Sequence, residues 1–138
     1  MTTSLDDIRT FLGKVHTVAT VKHVGEHGTK IDAIVDASFQ RILVFPDEPI
    51  GQVAEDFYWM RYLVQISETT EAALTTAFNN ILIGIKKFNR REAITGWVYA
   101  SYPKMCHMKF GFGKQSFKNF KTRRWYKDIF LDIEWSTS

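Results

Sequence analysis

Few residues in this 138-residue chain are of a type and spacing that do chemistry. His16, His23 and His27 lie close in sequence, and neutral imidazole is a common metal ligand. His23 and His27 would share a face only on a helix, and Gly25 and Gly28 turn the chain there, so the three read as solvated histidines rather than ligands. Cys106 and His107 are adjacent, which on a strand sends them to opposite faces and prevents a thiolate–imidazole pair. The thiol reads instead as a buried apolar group. Gly111-Phe112-Gly113-Lys114-Gln115-Ser116 has the glycines of a phosphate loop, but the motif's first glycine is missing. Gln115 also stands where a magnesium-binding Ser or Thr belongs, and no helix follows. Carboxylates pair at Asp47/Glu48 and at Asp132/Glu134, the second pair alternating with core residues as on a solvated sheet face. No catalytic group, metal or organic cofactor is expected.

One stretch exceeds its structural explanation. Lys114 to Lys127 holds six cations, no acid and four aromatic rings. Cations interleaved with stacking rings suit a phosphate backbone with exposed bases, and they equally suit protein interfaces rich in Arg, Trp and Tyr. Lys114, Lys118, Lys121, Arg123, Arg124, Trp125 and Lys127 are therefore candidates for a subunit interface or a nucleic-acid contact. A basic arm of this kind would tolerate reversal of Arg123 and Arg124 to Glu without unfolding.

The elements that must position these residues belong to one domain spanning residues 1–138, since this length supports a single core. A hydrophobic share of 45% and a charged share of 24% are those of a globular chain. One cysteine precludes an intramolecular disulfide. With no apolar leader, the simplest reading is synthesis in a reducing cytoplasm and no membrane partner. The net charge of +3 hides an asymmetry: residues 1–80 carry 6 basic and 11 acidic side chains, a net of −5, and residues 81–138 carry 12 and 4, a net of +8. Such halves attract their opposites on neighbouring copies, or present one positive surface to a polyanion.

The organising stretch runs from Phe57 to Phe88. Tyr58, Met60, Tyr62, Val64 and Ile66 alternate as a core-facing strand requires, and the other face mixes Phe57, Trp59 and Leu63 with Arg61. Ser67 is placed to cap the following helix, with Glu68 and Glu71 in its first turn and Lys86, Lys87, Arg90 and Arg91 at its end. Leu74, Ala77, Phe78, Ile81, Leu82, Ile85 and Phe88 make its apolar stripe. Before it, Ser4 starts a short helix that Gly13 ends, and Val15 to Val24 reads as a strand leading to a turn at Gly25–Gly28. Thr29 to Phe45 combines a helical stripe with a strand, Arg41 to Phe45, that Pro46 stops, and Pro46 to Gln52 reads as a loop. After the helix, Thr95-Gly96 breaks the pattern and Trp97 to Ala100 resumes it as a strand. Cys106, Met108 and Phe110 then alternate, and Ile129, Leu131, Ile133 and Trp135 face the core of a last strand. The expected class is α+β, a mainly antiparallel twisted sheet with one long amphipathic helix on one face and a short N-terminal helix.

From about Arg41 to Trp135, the order of apolar strand, long helix, strand, basic hairpin arm and a final strand ending Leu131-Asp132-Ile133-Glu134-Trp135 resembles the tail-terminator and minor tail proteins of tailed phages and proviruses. The resemblance implies an α/β sandwich that assembles as a ring, usually of six copies, at the end of the tail tube. It also implies other tail or connector proteins as partners, a place in the virion after synthesis in the host cytoplasm, and no catalytic residue. A ring uses heterologous contacts, which the charge split can supply, and a neighbour could bury Phe57, Trp59, Arg61 and Leu63. The rival expectation is a small single-stranded nucleic-acid binder.

Overall fold

The alternation that begins at Phe57 makes a strand longer than the apolar run itself, and the rest of the sheet is assembled on it. The computed structural model describes residues 4–17, 20–23, 41–54, 56–102, 104–111, 117–119 and 123–136. In chain order these form helix α1 (Ser4–Val15), strands β1 (Thr20–His23), β2 (Arg41–Ala54) and β3 (Phe57–Glu68), and helix α2 (Glu71–Asn89). A 3₁₀ turn (Tyr99–Ser101) and strands β4 (Met105–Gly111), β5 (Phe117–Asn119) and β6 (Arg124–Ser136) follow. The strand order is β1-β2-β3-β6-β4, with β5 beside β4 on the same edge of β6. Among the described strands only β1 and β2 pair in parallel. The fold is α+β, a mainly antiparallel sheet with the described helices α1 and α2 on one face.

Strict twelve-residue pairing of β3 with β6 sends Tyr62, Val64 and Ile66 to the same side as Ile129, Leu131, Ile133 and Trp135. All are buried against Ile8, Phe11 and Leu12 of α1 and Leu74, Ala77, Ile81, Ile85 and Phe88 of α2. Phe11 meets Phe88 and Trp97 edge-on, with ring centroids 5.6 and 5.3 Å away. The indole of Trp135 donates to the Tyr62 hydroxyl at 2.9 Å, so a polar pair is satisfied inside the core. Phe78 and Leu82 lie at the margin of the stripe and are half-buried.

Several local expectations are corrected. The cap of α2 is Thr70, whose hydroxyl accepts from the Ala73 amide at 3.1 Å; Ser67 and Glu68 still belong to β3, because pairing with Tyr126 and Trp125 holds them in the sheet. Helix α1 runs through Gly13 to Val15, since Val15 packs against Gly84 where the helices cross. Strand β1 is accordingly only Thr20–His23. Pro46 does not stop β2. Among the described residues β1 pairs with Arg41 to Val44, so Pro46 falls beyond that pairing, and the register against β3 shifts around Pro49 and Gly51. Trp97 forms an isolated bridge to Ile94 around Gly96 (φ 78°), and Tyr99–Ser101 is a 3₁₀ turn rather than a strand. The turn at Gly25–Gly28, the stripe from Thr29 to Phe39 and the bend at Gly113 lie outside the described residues. Among the described residues no helix is long and apolar enough to cross a membrane.

Candidate interaction surfaces

Because side chains alternate, the face of the sheet away from the helices carries Phe57, Trp59, Arg61, Leu63, Gln65 and Ser67 of β3. Beside them stand Glu134, Asp132, Phe130, Asp128, Tyr126 and Arg124 of β6, and His107 and Lys109 of β4. The face changes character along the strands. At the Phe57 end it is open: Phe57 is 36% exposed and Trp59 half-buried. The Lys109 ammonium lies 4.6 Å from the Trp59 ring centroid, and His107 meets the same ring edge-on. In the middle, Arg61 donates Nε–H to Asp132 Oδ1 at 2.9 Å and Nη2–H to Oδ2 at 3.1 Å, with its guanidinium 5.1 Å from the Phe130 centroid. Gln65 donates to Asp128 Oδ1 at 3.0 Å. At the Ser67 end Tyr126, Arg124 and Ser67 are buried.

The basic arm does not survive as one surface. Lys114 and Lys121 lie outside the described residues. Lys118 on β5 is exposed, and Arg123 is exposed in the turn before β6, where its φ of 57° is left-handed. Arg124, in contrast, is 4% exposed and donates Nε–H to Ser67 Oγ at 2.9 Å and Nη2–H to Ser67 O at 3.3 Å. It is an interior strut, so reversing its charge would not leave the fold untouched. Trp125 turns the other way and packs against the core under the helices. Lys127 is on that side too, its ammonium 4.8 Å from the Phe78 ring centroid. Strand alternation disperses cations that sequence proximity had grouped.

The sheet's β4 edge is blunted at Cys106 and Met108. Asn89, at the end of α2, donates to the Met108 carbonyl at 2.8 Å and accepts from the Met108 amide at 2.9 Å, so its side-chain amide stands in for a neighbouring strand along β4. Arg91 donates to the Cys106 carbonyl at 2.7 Å on the same edge. On β2, Pro46 and Pro49 lack an amide donor, and the register against β3 shifts around Pro49 and Gly51.

Two features escaped sequence reasoning. His16 is buried, with Asn80 Nδ2 at 3.0 Å from its Nδ1 and Glu68 Oε1 at 3.4 Å from its Nε2. Asn80 donating to Nδ1 puts the ring proton on Nε2, facing a carboxylate that is itself 1% exposed. Both ring nitrogens are thus engaged by the fold, and neither faces a nucleophile. Among the described residues no group of three metal-ligating side chains occurs; His23's side chain and His27 lie outside them. Cys106 is half-buried rather than buried. It is the unpaired residue of a β-bulge between Met105 and His107, and burial raises its thiol above the ordinary range, Glu134 adding to the rise.

The second feature is a groove of about 200 Å³ where α1 crosses α2, lined by Lys14, Val15, Asn80, Ile83, Gly84, Lys87, Ile94 and Thr95. Crossing at Gly84 lets the helices approach, and the groove opens beside that contact. Ile83, half-exposed at 51%, is the outward apolar residue of α2. No protein-family model matches this chain, and no curated protein sequence is similar to it.

Proposed function

We propose that this chain is a structural assembly subunit without a catalytic centre, self-associating into a closed ring as tail-terminator and minor tail proteins do, with other tail or connector proteins as its further partners in a virion. One observation carries this reading: the open end of the sheet face opposite α1 and α2, where Phe57 and Trp59 are accessible beside Arg61 and Lys109. Aromatic rings and Arg within a rim of charges are the composition of a protein interface. The blunted β4 edge supports it further, because it disfavours continuation of the sheet through that strand.

The second reading, a single-stranded nucleic-acid binder, draws on the same rings, since cations over exposed aromatics form stacking platforms. Charge favours the first reading. Asp128, Asp132 and Glu134 stand on the same face as Arg61 and Lys109, and Arg61 is neutralised by Asp132, so the face offers a polyanion little net attraction. Sedimentation velocity across a concentration series, with and without a labelled single-stranded oligonucleotide, tests the choice. A large discrete species free of nucleic acid is the expected result. A monomer that binds the oligonucleotide with steep salt dependence would overturn it.

A further inference from the structure

The groove beside the α1–α2 crossing joins two kinds of surface. Its polar side consists of groups that can donate hydrogen bonds: the ammonium groups of Lys14 and Lys87, the Thr95 hydroxyl and the Asn80 amide. Its apolar side is made by Val15, Ile83 and Ile94. Among the described residues no Asp or Glu lines it, and neither lysine forms an ion pair. Glu92, the acid that follows α2, is turned to Arg90 at 3.7 Å, and Glu68 faces His16 at 3.4 Å. The groove is therefore positive without an internal counterion.

Lysines near helix C-termini have an ordinary explanation, since cations complement the negative end of the dipole. For Lys87 that duty is already met. Its own carbonyl accepts from the Glu92 amide at 2.9 Å and the Tyr99 hydroxyl at 3.1 Å, and the Phe88 carbonyl accepts from the Arg91 amide and guanidinium, both at 3.1 Å. Two other polar groups have defined positions: Lys14 lies across Gly96, where an added Cβ would be 3.2 Å from Lys14 Cδ and 3.4 Å from Nζ, and Asn80 is tied to buried His16 at 3.0 Å. Groups placed in advance lose less freedom when a ligand arrives. We infer that the groove binds a small phosphate monoester. Its phosphoryl group carries about 1.5 to 2 negative charges and three acceptor oxygens, which two ammonium groups and one hydroxyl match, whereas a carboxylate offers one charge and two oxygens. Val15 and Ile94 then take the carbon body of the ester. The volume of about 200 Å³ keeps that body small, because drug-sized ligands occupy roughly 300 Å³ or more. This site is independent of the assembly proposed above.

Titration of the full chain with phenyl phosphate and with inorganic phosphate, followed by backbone amide NMR shifts at an ionic strength held constant with chloride, tests the site. Saturable one-to-one binding is expected, with shifts at Thr95 and Gly96 and tighter binding of phenyl phosphate than of inorganic phosphate. Replacing Lys14→Gln together with Lys87→Gln, both exposed, should weaken binding about tenfold or more in a chain whose circular dichroism is unchanged. Thr95→Val leaves both charges in place and should weaken it about threefold, as one lost hydrogen bond would. Shifts that grow without saturating, or that the double variant keeps in full, would overturn the site, since phosphate also acts on proteins by general exclusion from their surface. Equal affinity for the two probes would overturn the assignment to an ester, because Val15 and Ile94 would then hold nothing. Succinate binding as tightly as phenyl phosphate would replace the phosphoryl group with a dicarboxylate.

Discussion

Arg123 and Arg124 are neighbours of one charge with opposite roles. Arg124 is buried with its guanidinium on Ser67, and truncating a buried charged donor leaves its acceptors unpaired. Arg124→Ala should cost about 2–3 kcal/mol on urea denaturation, whereas Arg123→Glu, in an exposed turn, should stay within about 0.5 kcal/mol. Equal effects would mean that Arg124 is not the strut described. Two further residues make stability depend on alkaline pH. Burial raises the Cys106 thiol and the Tyr99 hydroxyl, Arg91 opposing both, and Tyr99 is fixed by donating to the Lys87 and Glu92 carbonyls. Each group keeps its proton to a higher pH in the folded chain than in the unfolded one. The stability this gives is complete below the unfolded-chain values and is lost as pH rises through the folded ones. Denaturation midpoints should therefore fall between about pH 7 and pH 10.5, and the fall should be smaller in Cys106→Ser and Tyr99→Phe.

The helices α1 and α2 are set against each other by a close contact at Gly84. A Cβ added at Gly84 would lie 2.4 Å from Val15 Cγ1 and 2.9 Å from Val15 Cβ. Alanine improves helix propensity by about 1 kcal/mol, but Val15 is β-branched and cannot rotate away, so overpacking of about 1–3 kcal/mol should win. Gly84→Ala should destabilise, and Val15→Ala should restore part of the loss in a double-mutant cycle. The end of α2 has a different duty, closing the edge of β4 through Asn89. Asn89→Ala removes both bonds to Met108 at an expected cost of about 1–3 kcal/mol, and it exposes backbone groups that pair with other chains. Light scattering that grows with concentration in the variant alone is the expected sign.

At the scale of the whole molecule, charge separation matters less as a contrast of chain halves than as patches. Arg61 lies with Asp132 from the basic half, and Arg124 lies buried against Ser67 from the acidic half, so pairing β3 with β6 mixes the two. What remains outward includes Lys14 and Lys87 at the helix groove, and Lys118 and Arg123 at the β5–β6 turn. Contacts made through exposed lysines are screened once the Debye length drops to about 3 Å near 1 M salt. The proposed assembly should therefore weaken, by sedimentation, between about 0.05 M and 0.5 M salt without dissolving entirely, because the accessible Phe57 and Trp59 rings would add an apolar term that salt does not screen.

Local sequence determined the parts whose reason is local. The alternation at Tyr62, Val64 and Ile66, the stripe from Leu74 to Phe88 and the last strand through Ile133 each bury one face, and a period of two or of 3.6 residues is visible without knowing the partner. Tertiary structure decided what depends on distant neighbours. Ser67 and Glu68 stayed in the sheet because β6 pairs with them, leaving the cap to Thr70, and β2 ran through two prolines because β3 pairs along it with register shifts near Pro49. His16 met Glu68 and Asn80, 52 and 64 residues away, and Lys14 and Lys87 came to line one groove beside a helix crossing at Gly84. Spacing along a chain carries periodicity, but it carries no record of which remote side chains share a volume, and there burial and charge selected the interior of this protein and the surfaces left for its partners.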